Sequence, residues 1–260
     1  MRTLINSAFS IGPALARAVR FDRVYAADRI EEAARADLDL VVATAVAPLA
    51  PAANQAASHD LCAVRRLQEV MATCRIARLT LISSCVVYPE PFEVDERDPI
   101  KTGSLGPYAR HRYELERWCR DRFETTVVRL PHVFGAPLRS KVRHPAGDLA
   151  RLAARNPAST EQHYDLGRLA EDLGVVARLG QPLVNLATPP LADGRVLAEL
   201  GVEPLPGARA AGLARSDVRS AYAEAFGGAD GYIETAAAEL ARIAAYVAAD
   251  APDPLIGSLD

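Results

Sequence analysis

The feature that most narrows the fold is a repeated alternation of short apolar runs with amphipathic helical patterns through the first half of the chain. The clearest run is Leu38–Ala43 (LDLVVA), nearly all apolar, as expected of a strand covered on both faces. Thr3–Ile5, Arg23–Ala26, Leu79–Ser83 and Thr126–Leu130 read as further strands. Between them the spacing predicts helices over Gly12–Val19, with Pro13 suited to the first turn, over about His59–Cys74, and over Tyr108–Phe123. Strand, helix, strand repeated in this way implies right-handed crossovers and an α/β, Rossmann-type doubly wound parallel sheet. The rhythm breaks at 136–163, where Pro137, Pro145 and Pro157 mark an irregular excursion with a short helix. Beyond it lie a helix over Leu166–Leu179, a strand over Leu183–Ala187, a short helix over Gly194–Leu200 capped by Asp193, and a last helix over Thr235–Ala249. The expectation is a single domain over residues 1–260. About 136–165 and 189–235 would contribute a small C-terminal substrate lobe over the carboxyl edge of the sheet, where such folds bind ligands.

Composition excludes several functions. The formal net charge of -3 provides no basic field for nucleic acid or an anionic membrane. No apolar run approaches the roughly 20 residues of a membrane span. Residues 38–50 come closest, but they are short and contain Asp39 and Pro48. The N-terminus lacks the apolar core and cleavage site of a secretory signal, so the chain reads as cytoplasmic. The four cysteines (Cys62, Cys74, Cys85, Cys119) show no metal-ligand spacing and no disulfide pattern. Cys62, Cys74 and Cys119 fall on predicted helices, where a free cysteine behaves as a small buried hydrophobe.

The chemistry-bearing stretch is 79–135. A strand ending in Ser83-Ser84 places a hydroxyl at its carboxyl end, with Cys85 directly after it. Tyr108 opens the next long helix and Arg112 lies four residues on, so the two share one helix face. A fixed guanidinium beside a phenol favours the phenolate, as a tyrosine acid/base near neutral pH requires. Ser84 would hydrogen-bond and polarise the same substrate oxygen. The bland account is that an i, i+4 pair merely stabilises a helix surface. His111 lies about 100° around the helix from Arg112 and is expected to face elsewhere. Arg139, Lys141, Arg143 and His144 form a basic cluster that either holds substrate phosphates or decorates a solvated loop.

The joint order of these motifs resembles the extended short-chain dehydrogenase/reductase family, of the NAD-dependent epimerase/dehydratase type. Ser84 four residues before Tyr88, Tyr108-x-x-x-Arg112 against the family's Tyr-x-x-x-Lys, and Arg129-x-x-x-Val133-Phe134-Gly135 carry the likeness. It extends through HYDLGRL (163–169), LVNLAT (183–188) and AFGGADGYI (225–233). The resemblance implies a nicotinamide cofactor, NAD or NADP, and a small-molecule substrate, a sugar or nucleotide-sugar. It also implies a homodimer paired through the helices at 59–74 and 108–123. Tyr108, Ser84 and Arg112 would be the catalytic group, with Cys85, Arg139 and Arg143 near the substrate. Asn6, Phe9, Ser10, Ile11 and Gly12 would form the phosphate loop. Asp28 and Arg29 would meet the adenosine ribose, Ala43 and Thr44 would line the cleft, and Pro131 and His132 would lie near the nicotinamide or substrate.

The phosphate loop departs from the family's G-x-x-G-x-x-G. Asn6 takes the first glycine position and Phe9 the second, and only Gly12 remains. Asparagine tolerates a tight turn better than most residues, whereas a Phe side chain obstructs the backbone's approach to a pyrophosphate. Three readings follow: a nicotinamide-dependent epimerase, dehydratase or reductase; the same fold catalysing a non-redox elimination, isomerisation or addition; or a non-catalytic binding protein. NAD and NADP stay open, because Asp28 suits a ribose hydroxyl and Arg29 suits a 2′-phosphate.

Overall fold

A computed structural model describes residues 2–6, 11–44, 57–135 and 145–249, without the side chains of Asn6 and residues 145–148. The central sheet is built from β1 (Arg2–Asn6), β2 (Arg23–Tyr25), β3 (Asp37–Thr44), β4 (Arg75–Ser84), β5 (Thr125–Leu130) and β6 (Leu183–Asn185). Its order is β6-β5-β4-β3-β1-β2, and every pairing is parallel. The chain leaves β2 and returns to the other side of β1, so the topological switch lies between β1 and β3. Open sheets of this kind bind ligands beyond the carboxyl ends of the strands at that switch. Asn6 and Thr44 face each other across it.

Alternation along the strands explains the layers. Leu4, Val42, Ile82 and Val128 point to one face, with Leu15 of helix α1 (Ile11–Ala18) and Val176 of a later helix. Ile5, Val41, Ala43, Leu79 and Leu81 point to the other. That face is covered by α2 (Ala57–Ala72) through Leu67 and Met71, and by α3 (Pro107–Arg122) through Leu115 and Cys119. Period-2 side-chain direction in strands sandwiched by helices makes both sets apolar. Each Leu, Ile or Val so buried contributes about 1.5–3 kcal/mol.

Past Gly135 the chain forms α4 (Pro145–Ala153), α5 (Leu169–Leu179), α6 (Asp193–Glu199) and α7 (Ala236–Ala248) around short strand pairs. His132–Phe134 runs parallel to His163–Asp165, Thr160–Glu161 antiparallel to Leu191–Ala192, and Asp217–Val218 parallel to Phe92–Val94. Leu152, Leu191, Val196, Leu197, Leu240 and Ile243 form the apolar core there. Gly135 has φ +117, and a Cβ at that position would meet the Asp165 carboxylate at 3.0 Å. The glycine ending the Val-Phe-Gly run is thus required by backbone geometry and close approach.

Three sequence expectations are corrected. Asp193 does not cap α6: Ala192 holds that position, and Asp193 turns inward to accept a 2.7 Å bond from Arg155 Nε. A fully buried carboxylate is held by a guanidinium more strongly than by a backbone amide. Cys62 is exposed, although Cys74 and Cys119 are buried as expected. The strand expected at Leu79–Ser83 begins at Arg75, because the exposed Arg75, Ala77 and Arg78 hide its start from a hydrophobic pattern. Among the described residues no helix is long and apolar enough to cross a membrane.

Glu239, fully buried on α7, accepts the His163 amide at 2.8 Å, and burial pushes its carboxyl up to about 9. The folded chain therefore keeps a proton that the unfolded chain releases above its ordinary value of about 4.3, so stability falls as pH rises between the two. Glu239→Gln preserves the acceptor and removes the titration. Thermal unfolding should show the variant's Tm gaining on wild type from pH 5 to pH 8; an equal gap at both pH values would contradict this assignment.

Candidate active site

The carboxyl ends of β4 and β5 and the start of α3 converge. β4 runs out at Ser83-Ser84 and enters a single tight turn over Cys85–Val87, where the Ser84 hydroxyl accepts the Val86 amide at 3.4 Å. Gly106 precedes α3, and Pro107 in its first turn needs no amide partner there, which sets Tyr108 at the opening of the helix. α3 packs on β4, on β5 and on the 85–87 turn. Its buried stripe comprises Tyr108, His111, Arg112, Leu115, Glu116 and Cys119. Tyr108, Arg112 and Glu116 therefore stack along one line at i, i+4 and i+8.

Tyr108 and Arg112 come together as the spacing requires, in a particular geometry. The guanidinium carbon lies 4.9 Å from the centroid of the Tyr108 ring, within cation–π range. Arg112 Nη2 donates to Asp60 Oδ1 of α2 at 2.6 Å, and His111 Nδ1 meets the other oxygen, Oδ2, at 2.6 Å. The Asp60 and Arg112 side chains are 6% and 3% exposed, so the pair is sealed from solvent. Arg112 Nε is buried with no acceptor among the described residues. His111, expected to face away, shares its carboxylate with Arg112, because Asp60 reaches across the groove between the two helices.

One turn further along α3, Glu116 ties the helix to the sheet. Its carboxylate takes Arg129 of β5 through Nε at 3.1 Å and Nη2 at 2.7 Å, and accepts the Ser83 hydroxyl at 2.6 Å. Arg129 Nη1 also donates to the Tyr88 phenol oxygen at 2.8 Å, which Asn185 Nδ2 reaches at 3.1 Å and which donates to the Asp95 carbonyl at 2.8 Å. Burial pushes the Tyr88 phenol well up despite Arg129, so this second tyrosine is held neutral. Cys85 is buried with Val87, Tyr88 and Val218, and burial raises its thiol far above the usual range. It contributes an apolar wall and an unreactive sulfur.

His132, after β5, meets His163 edge-on at 5.6 Å between ring centroids. Burial would raise the neighbouring Glu161 carboxyl, but the charges of His132, His163, Arg151 and Arg155 outweigh it and hold the group at about 2. His132, His163 and Arg151 border a cavity of about 70 Å³ that is otherwise lined by Phe134, Leu152, Val196, Ile243 and Tyr246 among others.

On the cofactor side, Ile11 and Gly12 are buried at the start of α1, and Ala43 and Thr44 are buried at the end of β3. Asp28 and Arg29 are exposed beyond β2, and Arg29 makes a 3.6 Å surface pair with Glu32. Pro131 is partly exposed between β5 and His132. Phe9, Ser10, Arg139, Lys141, Arg143 and His144 lie outside the described residues or side chains, as does the side chain of Asn6.

Sequence reasoning missed Asp60, Glu116 and Asn185. A signal existed for the first two. Asp60 continues the buried Val64–Leu67–Met71 stripe of α2 backwards, and Glu116 extends the Tyr108–Arg112 line. A charge on a buried helical stripe must have a partner.

Residues 9–163, more than half of the chain, match the NAD dependent epimerase/dehydratase family. The chain belongs to that family. Solved structures agree in fold. MoeE5 in complex with UDP-glucuronic acid and NAD has a TM-score of 0.68 at 15% identity, covering 96% of this chain and 99% of that one. The dTDP-4-dehydrorhamnose reductase of Bacillus anthracis, in complex with NADP, has a TM-score of 0.65 at 12% identity, covering 95% and 98%. The UDP-N-acetylglucosamine 4-epimerase of Methanobrevibacter ruminantium, in complex with UDP-N-acetylmuramic acid, has 0.62 at 12%, covering 95% and 98%. Comparison with curated proteins gave no match. In this chain Tyr108 is followed four residues on by Arg112, whose guanidinium is anchored to α2 through Asp60.

Removing one partner of a buried ion pair leaves a bare charge, at a cost on the order of 3–5 kcal/mol, whereas replacing both with apolar residues is often near neutral. Glu116→Leu should therefore lower the urea midpoint strongly, and the Glu116→Leu, Arg129→Met double variant should recover much of the loss. A double variant no more stable than the single one would show that Glu116 does not act by neutralising Arg129.

Proposed function

We propose that this chain is a nicotinamide-dependent enzyme that epimerises, dehydrates or reduces a sugar, in nucleotide-linked form. Tyr108 acts as the acid/base, Ser84 orients the reacting oxygen, and Arg112 sets the electrostatics of the phenol. The observation that carries this reading is the buried guanidinium stacked on the Tyr108 ring at the carboxyl edge of the sheet. Burial by itself disfavours a phenolate, and the adjacent fixed cation opposes that penalty, favouring the form that accepts a substrate proton. Ser84 ends the strand on which α3 packs, so its hydroxyl and the Tyr108 helix belong to one rigid corner.

The residues fit a dinucleotide in two respects. Arg112 Nε is a buried donor with no acceptor among the described residues, suited to a ligand oxygen. Asn6 and Thr44 pair at the carboxyl ends of β1 and β3, at the topological switch, and backbone amides at a helix N-terminus such as that of α1 favour a phosphate. Asn6, Ile11, Gly12, Ala43 and Thr44 would hold the cofactor, with Phe9 and Ser10 completing the loop and Asp28 or Arg29 at the ribose. The nicotinamide supplies the hydride chemistry when bound. Pro131 and His132 would sit near it, Cys85 would wall the substrate, and Arg139 and Arg143 would serve the sugar's phosphates. The segments 136–165 and 189–235 form the substrate lobe in this reading, within one domain spanning 1–260. A cytoplasmic setting and a homodimer paired through α2 and α3 belong to the same reading.

The competing reading, the same fold without redox chemistry, is favoured by Phe9 at a phosphate-loop glycine position. A titration separates the two. At 100 times its dissociation constant a dinucleotide stabilises the folded chain by about 2.7 kcal/mol. NAD(H) or NADP(H) should therefore raise the Tm by several degrees, whereas no shift with any of the four would sink the nicotinamide reading. With dinucleotide and UDP-glucose as probe, Tyr108→Phe should keep the shift and lower kcat by about 10²-fold or more, the usual contribution of a positioned acid/base. Unchanged turnover in that variant would remove Tyr108 from the chemistry.

A further inference from the structure

Arg112 cannot reach its place over the Tyr108 ring by helix geometry alone. An arginine four residues along a helix has many rotamers, most of them leading to solvent, and fixing such a side chain costs on the order of 1.5–2 kcal/mol of conformational entropy. Here the guanidinium is held from two sides: its central carbon lies over the Tyr108 ring, 4.9 Å from the centroid, and Asp60 of α2 accepts its Nη2 at 2.6 Å. Asp60 is itself fixed, because its second oxygen meets His111 Nδ1 at 2.6 Å. The carboxylate therefore presents one oxygen to each of two adjacent α3 side chains and clamps them to α2. Leu67 and Met71 of α2 and Leu115 of α3 are packed into the same core, which holds the separation of the two helices. The nearest other carboxylate on the buried face of α3, Glu116, is already engaged by Arg129 and Ser83.

We propose that Asp60 is a positioning residue that locks the Arg112 guanidinium onto the Tyr108 ring, with His111 fixing the Asp60 carboxylate plane. The inference rests on the acid/base reading of Tyr108 and extends it to a residue on another helix. Asp60 does not touch the phenol, and it acts through Arg112. Its negative charge partly offsets the guanidinium, so summed charge alone would make Asp60 oppose the phenolate. Positioning makes the opposite demand: without Asp60 the guanidinium is free to leave the ring, and Tyr108 no longer feels it. The two accounts can be separated by experiment.

The test needs no substrate. The full chain is labelled with [13Cζ]tyrosine, and the Tyr108 resonance is picked out of the eight tyrosines as the one lost in Tyr108→Phe. Its titration midpoint is then followed in wild type, Arg112→Gln, Asp60→Asn and the Arg112→Gln, Asp60→Asn double variant. In the wild-type background Arg112→Gln should raise the midpoint by on the order of one pH unit, a tenfold change in the phenol–phenolate ratio. In the Asp60→Asn background the same substitution should move it by less than a third as much. Asp60→Glu, which keeps the carboxylate, should restore most of the coupling. Near-UV circular dichroism checks that each variant is folded; if Asp60→Asn does not fold, the same cycle is run on Asp60→Ser. Equal shifts in both backgrounds would overturn the positioning role and leave the Tyr108–Arg112 reading intact. A midpoint indifferent to Arg112 in both backgrounds would overturn the acid/base reading, and the inference with it.

Discussion

The buried Glu116 carboxylate is the interaction on which the rest of the site depends. It joins α3 to β5 through Arg129 and to β4 through Ser83, and so fixes the roll of the helix relative to two adjacent strands. Because Tyr108 and Arg112 lie on the same line of α3, one and two turns away, fixing that roll decides where both side chains point. A buried ion pair of this kind is weak evidence for stability but good evidence for a defined geometry, since any other roll would strand charges in the core.

A second set of polar anchors extends this corner outward. Tyr88 joins Arg129 to Asn185 at the end of β6, and Glu96 accepts the Asn185 amide, the Ser220 hydroxyl and the Ala221 amide. The loop after β4 is thereby sewn to the chain beyond α6. Glu96 is thus met by two backbone amides and a hydroxyl, all neutral donors. The cluster around Glu161 works differently, with two arginines and two histidines holding one carboxylate ionised while burial pushes Asp193 beside it up to about 6.

Much of the arrangement was legible in the chain. The parallel sheet could be read from LDLVVA and its sister runs, because a strand covered on both faces must be apolar throughout. The nearness of Tyr108 and Arg112 followed from four-residue spacing on a helix. Asp60 was half-legible, since a carboxylate on the buried stripe of α2 announces a partner without naming it. His111 was misjudged: a rotation of about 100° along one helix says nothing about a neighbouring helix reaching over to meet it. Asp193 was misjudged for a related reason, as local capping preference yielded to the long-range pull of Arg155.

The amino-acid sequence by itself determined the layers of this protein, the line of Tyr108, Arg112 and Glu116 on one helix, and the membership that the spacing of its motifs resembled. These are consequences of periodicity, which acts over a few residues. The tertiary structure alone decided that the Arg112 guanidinium sits over the ring, that Asp60 holds it there, and that Glu116 binds Arg129. The Asp60–Arg112 and Glu116–Arg129 contacts join residues 52 and 13 apart in the chain, and their pairing depends on helix–helix and helix–sheet packing that no local pattern encodes.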